Sequence, residues 1–252
     1  MTTRAEFMTR IRTEMAKTKG LFPAATAERP AAPGERLALL RRELAERWPA
    51  ALARFREEFT RVGGVFYRVG KAPEVPAVVA AIATQTGSRR LVSWHPQVLG
   101  ADWTADLAAR GLALEAMPSG AGAPDERRAL RGRIAAADLG LTGVDLAVAE
   151  TGTLVLVSGA GRPRSTSLLP AIHVAVFGRT ALVESLTHVG LVLEAWHEGG
   201  RDDARERGAS INFITGPSRT ADIELTLTRG VHGPKEVHAI FVDEGLPETP
   251  HV

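Results

Sequence analysis

The sequence predicts an α/β protein with a mixed, largely parallel sheet, helices on both faces of that sheet, and an N-terminal helical extension. From residue 63 onward, apolar strand-like runs alternate with amphipathic helical segments, which is typical of parallel α/β architecture. Two apolar runs in 146–158 are separated by Thr151-Gly152, which indicates a tight hairpin or a bent strand. Such a hairpin would add an antiparallel pair, so we expect the sheet to be mixed.

Composition and length indicate an ordinary globular chain. The 252 residues are 44% hydrophobic and 24% charged, which fits one α/β unit with an extension. We predict an extension over residues 1–62, with a proline-rich linker at 20–34, followed by an α/β domain over residues 63–252.

The extension shows only helical periodicity. Phe7, Met8, Ile11 and Met15 share one stripe, which fits a surface helix and a partner-binding helix equally well. A second amphipathic segment begins near residue 35, and Pro49 should interrupt or kink it. Its apolar residues recur every three or four positions: Leu37, Leu40, Leu44, Trp48, Leu52, Phe55 and Phe59.

Within the α/β domain, strand and helix signals follow one another in order. We predict strands at 65–69, 90–94, 112–117, 172–177, 211–215 and 237–242, and helices at 74–85, 102–110, 125–137 and 180–197. His173 should be a hydrogen-bonded core histidine on its strand. The glycine-rich loop 159–165 contains Arg162 and Arg164; a mobile surface loop is favoured over an anion site.

The stretch 211–245 carries the strongest functional signal. Gly216-Pro217 ends a strand, and Ser218 and Thr220 then favour a short helix, although the alternation at 223–228 also fits a strand. A helix N-terminus attracts anions, and Arg219 adds a planar guanidinium suited to carboxylate or phosphate. The predicted anion-binding residues are Thr215, Gly216, Ser218, Arg219, Thr220, Asp222 and His232.

Two further side chains are candidates for chemistry. His232 lies in a loop shaped by Gly230, Gly233 and Pro234, beside the predicted anion site, and could contact the ligand. Glu150 follows an apolar strand at a glycine turn, where burial could raise its pKa and make it a base or nucleophile. The alternative for Glu150 is a hydrogen-bonded structural carboxylate.

Several classes of function are excluded or disfavoured. The chain contains no cysteine, which excludes disulfides, thiolate catalysis and cysteine-ligated iron–sulfur clusters on this chain. The seven histidines lack the spacing of a zinc site, so we expect no metal. The motifs do not identify a cofactor.

Partners and location follow from charge and hydropathy. No apolar run approaches the ~18 residues that span a bilayer, and no signal-peptide pattern opens the sequence, so we expect a cytoplasmic protein without a membrane span. The first 68 residues are net positive, yet their arginines alternate with glutamates on the solvent face, where no interleaved aromatic residues offer stacking to bases. Nucleic-acid binding is therefore not expected.

Four ordered motifs resemble one known family. Over about residues 63–244, the chain resembles the LUD domain of bacterial lactate-utilisation proteins, in particular the lactate-utilisation protein C family. The resemblance implies a fold related to those of CoA transferases, ribose-5-phosphate isomerase and 5-formyltetrahydrofolate cyclo-ligase. The motifs are AETGTLVLVSG (149–159), SLLPAIHVAVFG (167–178), ITGPSRTADIE (214–224) and GVHGP (230–234).

The resemblance implies a pathway more than a reaction. We expect a component of bacterial L-lactate oxidation to pyruvate, working as a subunit that binds a small anionic ligand or a partner, beside iron–sulfur proteins that carry the electrons. The alternative is a stand-alone CoA-transferase-like or cyclo-ligase-like enzyme acting on a phosphate- or CoA-bearing substrate. In that case Glu150 and Arg219 would be central, since the Glu-x-Gly turn is faintly similar to the turn bearing the acyl-accepting glutamate of CoA transferases.

Overall fold

The architecture was obtained from a computed structural model. The structure describes residues 3–17, 32–120, 122–198, 210–221 and 227–246. The chain divides into two compact units, one ending at Ala31 and one beginning at Ala32.

The described part of the first unit is the helix α1 (Arg4–Lys17). Glu6 accepts a hydrogen bond from the Thr3 backbone N–H at 2.7 Å, and the Thr3 hydroxyl accepts one from the Glu6 N–H at 3.3 Å. This reciprocal pair is a capping box, which explains why the helix begins here. The predicted apolar stripe exists and its side chains are exposed: Phe7, Met8, Ile11 and Met15.

The second unit alternates helices with strands. Its helices are α2 (Pro33–Arg61), α3 (Val75–Thr86), α4 (Pro96–Leu99), α5 (Thr104–Ala108), α6 (Pro124–Ala135), α7 (Ser165–Leu168) and α8 (Leu186–Glu198). Its strands are β1 (Val65–Lys71), β2 (Arg90–Ser93), β3 (Ala113–Ala116), β4 (Leu139–Gly143), β5 (Leu146–Val148), β6 (Thr153–Ser158), β7 (Ile172–Phe177), β8 (Leu182–Val183), β9 (Ser210–Ile214), β10 (Arg219–Ala221), β11 (Leu227–Arg229) and β12 (Glu236–Glu244). Short 3₁₀ turns occupy Ala72–Glu74 and Arg179–Ala181.

The strands form one large parallel sheet and two smaller ones. Six strands pair in the order β1-β12-β7-β4-β2-β3, and every pair in this sheet is parallel. The predicted hairpin at 146–158 is confirmed as the antiparallel pair β5–β6, within a second sheet of order β8-β5-β6-β9. The mixed character predicted for one sheet therefore belongs to a separate, four-stranded sheet.

Both faces of the large sheet are covered, as predicted. Alternate residues of a strand point to opposite faces, so Ile240 and Val242 of β12 pack in the core beside α3, while Ala239 and Phe241 pack in the core beside α2. The four-stranded sheet packs on the α2 side, where Leu154 and Leu156 join the same apolar cluster.

Helix α2 connects the sheets. It continues as a helix through Pro49, and it buries Leu37 and Leu40 against the four-stranded sheet and α8. Farther along, Phe55 and Phe59 are completely buried between the two sheets. The domain boundary at residue 62 stays a prediction, and most of the predicted linker 20–34 lies outside the described residues.

Three sequence-based assignments were wrong or incomplete. The short helix favoured after Ser218 is instead the strand β10, which pairs antiparallel with β11. The helix predicted from residue 180 begins only at Leu186, after a 3₁₀ turn and the strand β8. Strand β4 was not predicted, because its two glycines mask the strand pattern. Glycine is required at one of these positions, since a side chain at Gly140 would collide with the Thr166 carbonyl oxygen of α7.

Candidate functional site

Two loops that the sequence singled out lie side by side. The Ser218 N–H donates to the Pro234 carbonyl oxygen at 2.9 Å, and the Gly230 N–H donates to the Ser218 carbonyl oxygen at 3.1 Å. A side chain on Gly233 would lie 3.4 Å from the Ser218 Cβ. The exposed His232 is therefore carried on a loop that contacts the predicted anion loop, as the sequence suggested.

Arg219 reaches from this loop to the end of α2. Its Nη2 donates to the Val62 carbonyl oxygen at 2.6 Å, although the residue is exposed overall. The carbonyl end of a helix carries partial negative charge, so a guanidinium there is favourable. Gly63 has φ of 93°, and any side chain on it would overlap the Arg219 guanidinium. Part of the role of Arg219 is thus to close the C-terminus of α2.

Glycine permits a second close approach at the same helix end. Gly216 has φ of 81°, in the left-handed region, and a Cβ there would lie 2.7 Å from the Val62 carbonyl oxygen. The Gly-Pro turn that ends β9 therefore packs directly on the backbone after α2. This close packing explains the need for glycine before the buried Pro217.

The turn between β5 and β6 packs against the same end of α2. Gly152 has φ of 61°, and a Cβ there would lie 2.6 Å from the Phe59 Cα of α2. The Thr151 hydroxyl donates to Thr153 Oγ1 at 2.8 Å, and Thr153 Oγ1 lies 2.7 Å from Thr215 Oγ1. A chain of hydroxyl groups thus connects the two motifs.

We call this convergence the glycine junction; it comprises residues 62–64, 150–153, 215–219 and 230–234. It immediately precedes β1 and β12, so it lies at the amino ends of these parallel strands. Two of the predicted binding residues are less well defined: Thr220 belongs to β10, and Asp222 lies outside the described residues. The helix N-terminus that was to supply anion-binding N–H groups is replaced by strand β10.

Glu150 has a local partner. Its Oε1 accepts a hydrogen bond from the Leu186 N–H at 2.9 Å, at the first residue of α8. A carboxylate in this position satisfies an unpaired N–H and interacts favourably with the helix dipole. This contact corresponds to the structural alternative for Glu150.

A buried ion pair was missed by the sequence analysis. Asp145 is 1% exposed and Arg162 is 4% exposed, and Arg162 Nη1 lies 3.0 Å from Asp145 Oδ1. The Val157 N–H donates to the other carboxylate oxygen at 2.7 Å. Burial raises the pKa of the Asp145 carboxyl, and the Arg162 guanidinium and the Val157 N–H act against that rise. Loop 159–165 is therefore anchored by Arg162, and the prediction of a mobile surface loop was wrong for this residue.

His173 is a core histidine, as predicted. It is fully buried, and its Nε2 lies 2.8 Å from the Thr142 hydroxyl oxygen. Its Nδ1 has no hydrogen-bond partner among the described residues. Burial, with a smaller contribution from His238, lowers the pKa of His173 to about 3. The imidazole is thus neutral at physiological pH.

Two kinds of feature are absent from the described ranges. No group of three His, Asp or Glu side chains in those ranges is arranged to hold a metal ion. No helix there combines the length and apolar character required to cross a bilayer.

The fold and the junction motifs define an α/β domain of known type. The family model of the LUD domain matches residues 52–242. The chain belongs to the LUD domain family.

Relatives and one solved structure resemble the chain. The lactate utilization protein C of Halalkalibacterium halodurans is 44% identical over 109 residues, covering 43% of this chain and 45% of that protein. The proteins of the same name from Shouchella clausii and Macrococcus caseolyticus are each 41% identical over 108 residues, again covering 43% of this chain and 45% of theirs. The matched segment thus spans less than half the length of these curated relatives.

A crystal structure of a DUF162 family protein from Deinococcus radiodurans shares the fold. It superposes with a TM-score of 0.51 at 22% sequence identity, covering 77% of this chain and 98% of that one. This similarity supports the α/β architecture described above.

Proposed function

We propose that this chain takes part in bacterial L-lactate utilisation, the oxidation of lactate to pyruvate, as a subunit that binds a ligand or a partner. The observation that carries the proposal is the 38–44% identity to proteins named lactate utilization protein C in five bacteria. Membership of the LUD domain family is consistent with it.

Electron transfer in this scheme falls to other proteins. Lactate oxidation releases two electrons, and the chain has no cysteine with which to ligate an iron–sulfur cluster. We therefore assign the clusters to partner proteins and a non-redox role to this chain.

The glycine junction is the site we assign to a small anionic ligand. Arg219 has five N–H donors, of which Nη2 supplies one to Val62, so its exposed guanidinium has donors left for an anion. His232 is exposed on the neighbouring loop, and Thr215 and Ser218 supply hydroxyl groups. The anion would be bound by side chains on two strand-ending loops, rather than by a helix N-terminus.

Growth on two carbon sources tests the role in the pathway. Deleting the gene should prevent growth on L-lactate and leave growth on pyruvate unchanged, because pyruvate enters metabolism after the proposed step. Complementation with the intact gene is the control and should restore growth on lactate. Normal growth of the deletion strain on lactate, or an equal defect on both carbon sources, would contradict the proposal.

A further inference from the structure

A groove separate from the glycine junction lies between α2 and the 3₁₀ turn that follows β7. Its volume is about 310 Å³, at the small end of the range for ligand pockets. Leu44 and Leu182 are buried, and they form its apolar floor. We call it the arginine groove; it is lined by Arg41, Leu44, Ala45, Trp48, Arg179, Thr180 and Leu182.

The wall of the arginine groove is a fixed aromatic ring. Trp48 stacks on Phe241 of β12, with ring centroids 5.8 Å apart and an interplanar angle of 20°. The guanidinium carbons of Arg68 and Arg179 each lie 5.7 Å from the centroid of the Trp48 ring. These cation–π contacts keep positive charge beside the indole without neutralising it.

The nearby arginines differ in what neutralises them. Arg68 forms an ion pair with Asp243 at 2.9 Å, and Arg47 lies 3.4 Å from Glu184. Arg179 is exposed and contacts the Trp48 ring, and it forms no salt bridge with a carboxylate in the described part of the chain. Among the described residues, Arg179 therefore brings to the groove a positive charge that no carboxylate pairs with.

The position of the groove is one that α/β proteins use for ligands. Arg179 and Thr180 follow β7 directly after Gly178, so they lie beyond the carboxyl end of a central parallel strand. Ligands of open parallel sheets bind at the carboxyl ends of the strands. The glycine junction, in contrast, lies at the amino ends.

We propose that the arginine groove binds a small organic anion. Arg179 receives the carboxylate or phosphate group, and Thr180 can donate its hydroxyl hydrogen to the same group. The apolar body of the ligand packs on Leu44 and Leu182. A carboxylic acid and a phosphate monoester share this chemistry, and the experiment below distinguishes them.

Calorimetric titration of the full chain with simple probes tests the assignment. Benzoate and phenyl phosphate supply the two anionic groups on one apolar body, and benzyl alcohol is the neutral control. At least one of the anions should bind with a stoichiometry of one, and at least about 10-fold more tightly than benzyl alcohol, because the charged group accounts for the selectivity. Whichever anion binds more tightly identifies the class.

Two variants locate the binding. Arg179→Gln should weaken binding of the preferred anion by about 10-fold or more, since it removes the guanidinium and keeps a side chain of similar length. Arg56→Gln, at an exposed arginine of the same helix α2, is the control and should bind like the wild type. Circular dichroism confirms that both variants are folded.

Three results would overturn the proposal. They are the lack of saturable binding of either anion at millimolar concentration, equal binding of benzyl alcohol, and an affinity unchanged in Arg179→Gln. If Arg179→Gln does not fold, Thr180→Val replaces it, since it removes the hydroxyl donor from the groove: weakened binding supports the groove, and unchanged binding refutes it.

Discussion

At the amino ends of the parallel strands Arg219 donates to the Val62 carbonyl oxygen at 2.6 Å, whereas beyond the carboxyl ends Arg179 lies over Trp48, 5.7 Å from the ring centroid. Around Arg219, Gly63 and Gly216 both have positive φ, and a Cβ at Gly216 would lie 2.7 Å from the Val62 carbonyl oxygen. Around Arg179 there is instead a groove of about 310 Å³. Arg219 therefore gives one of its donors to the end of α2 and keeps the others for a ligand, whereas Arg179 donates to no backbone acceptor among the described residues.

Arg162, unlike Arg219 and Arg179, is buried and paired with Asp145. Loss of this pair should have the largest effect on the free energy of unfolding. Asp145→Ala leaves a buried guanidinium unpaired, so we expect the free energy of unfolding to fall by about 3–5 kcal/mol. Replacing both residues by apolar ones, Asp145→Leu with Arg162→Met, should be less destabilising than the single change. Urea unfolding measures both variants. A loss below about 1 kcal/mol for Asp145→Ala would show that the pair is not buried as described.

Tight packing at the glycine junction predicts the next largest effect. In Gly152→Ala, the new Cβ meets the backbone of Phe59 in α2 and the residue has positive φ, so we expect a loss of about 2–4 kcal/mol. Gly87→Ala is a matched control, because Gly87 has φ of 70° and nothing within 4 Å of the added Cβ. Gly87→Ala should lower the free energy of unfolding by only about 1–2 kcal/mol. Equal losses in the two variants would contradict the close approach at the junction.

The neutral His173 on strand β7 of the large sheet makes the stability depend on pH. Its pKa is about 3 in the folded protein and ~6.5 in the unfolded chain, so the unfolded chain binds the extra proton first as pH falls. Proton uptake by this histidine in the unfolded chain should therefore lower the free energy of unfolding by about 2 kcal/mol between pH 7 and pH 5. In His173→Gln that contribution disappears, and urea unfolding at the two pH values measures it. An unchanged pH dependence in the variant would contradict the assigned burial of a neutral imidazole.

Much of the fold could be predicted from periodicity. Strands such as β1, β7 and β12 have consecutive apolar residues bounded by turn signals, and those signals are local. Strand β4 was missed because two of its five residues are glycine. Strand β10 was taken for a helix start because Ile223 and Leu227 fit a helical face as well as a strand alternation. The antiparallel pairing of β10 with β11 distinguishes the two, and the periodicity of the sequence does not show that pairing.

The candidate site was predictable in its parts but not in its connections. The Gly-Pro and Gly-x-His-Gly-Pro loops could be placed together because each precedes or follows a strand. The partner of Arg219 is a backbone carbonyl 157 residues earlier in the chain, and backbone acceptors have no sequence signature. Asp145 did carry a signal, since a carboxylate inside the apolar run 139–149 must be paired if it is buried.

The final prediction concerns the smallest effect on stability and the largest on function. Arg219→Ala should lower the free energy of unfolding by about 1 kcal/mol or less, because the side chain is exposed. Arg110→Ala is the matched control: Arg110 is also exposed and donates to a backbone carbonyl, that of Asp106, at 2.9 Å, but it lies far along the chain from the junction. The melting temperatures of the two variants should therefore be similar.

The measurement that tests the account most directly is growth on L-lactate of a deletion strain complemented with each of these two variants, read beside the two melting temperatures. We predict that Arg219→Ala fails to restore growth, since an anion loses a charge-assisted contact worth about 10-fold or more in affinity, while Arg110→Ala restores it. Full growth with Arg219→Ala would contradict a functional anion site at the glycine junction. A melting temperature for Arg219→Ala far below that of Arg110→Ala would show that Arg219 serves only to hold the end of α2.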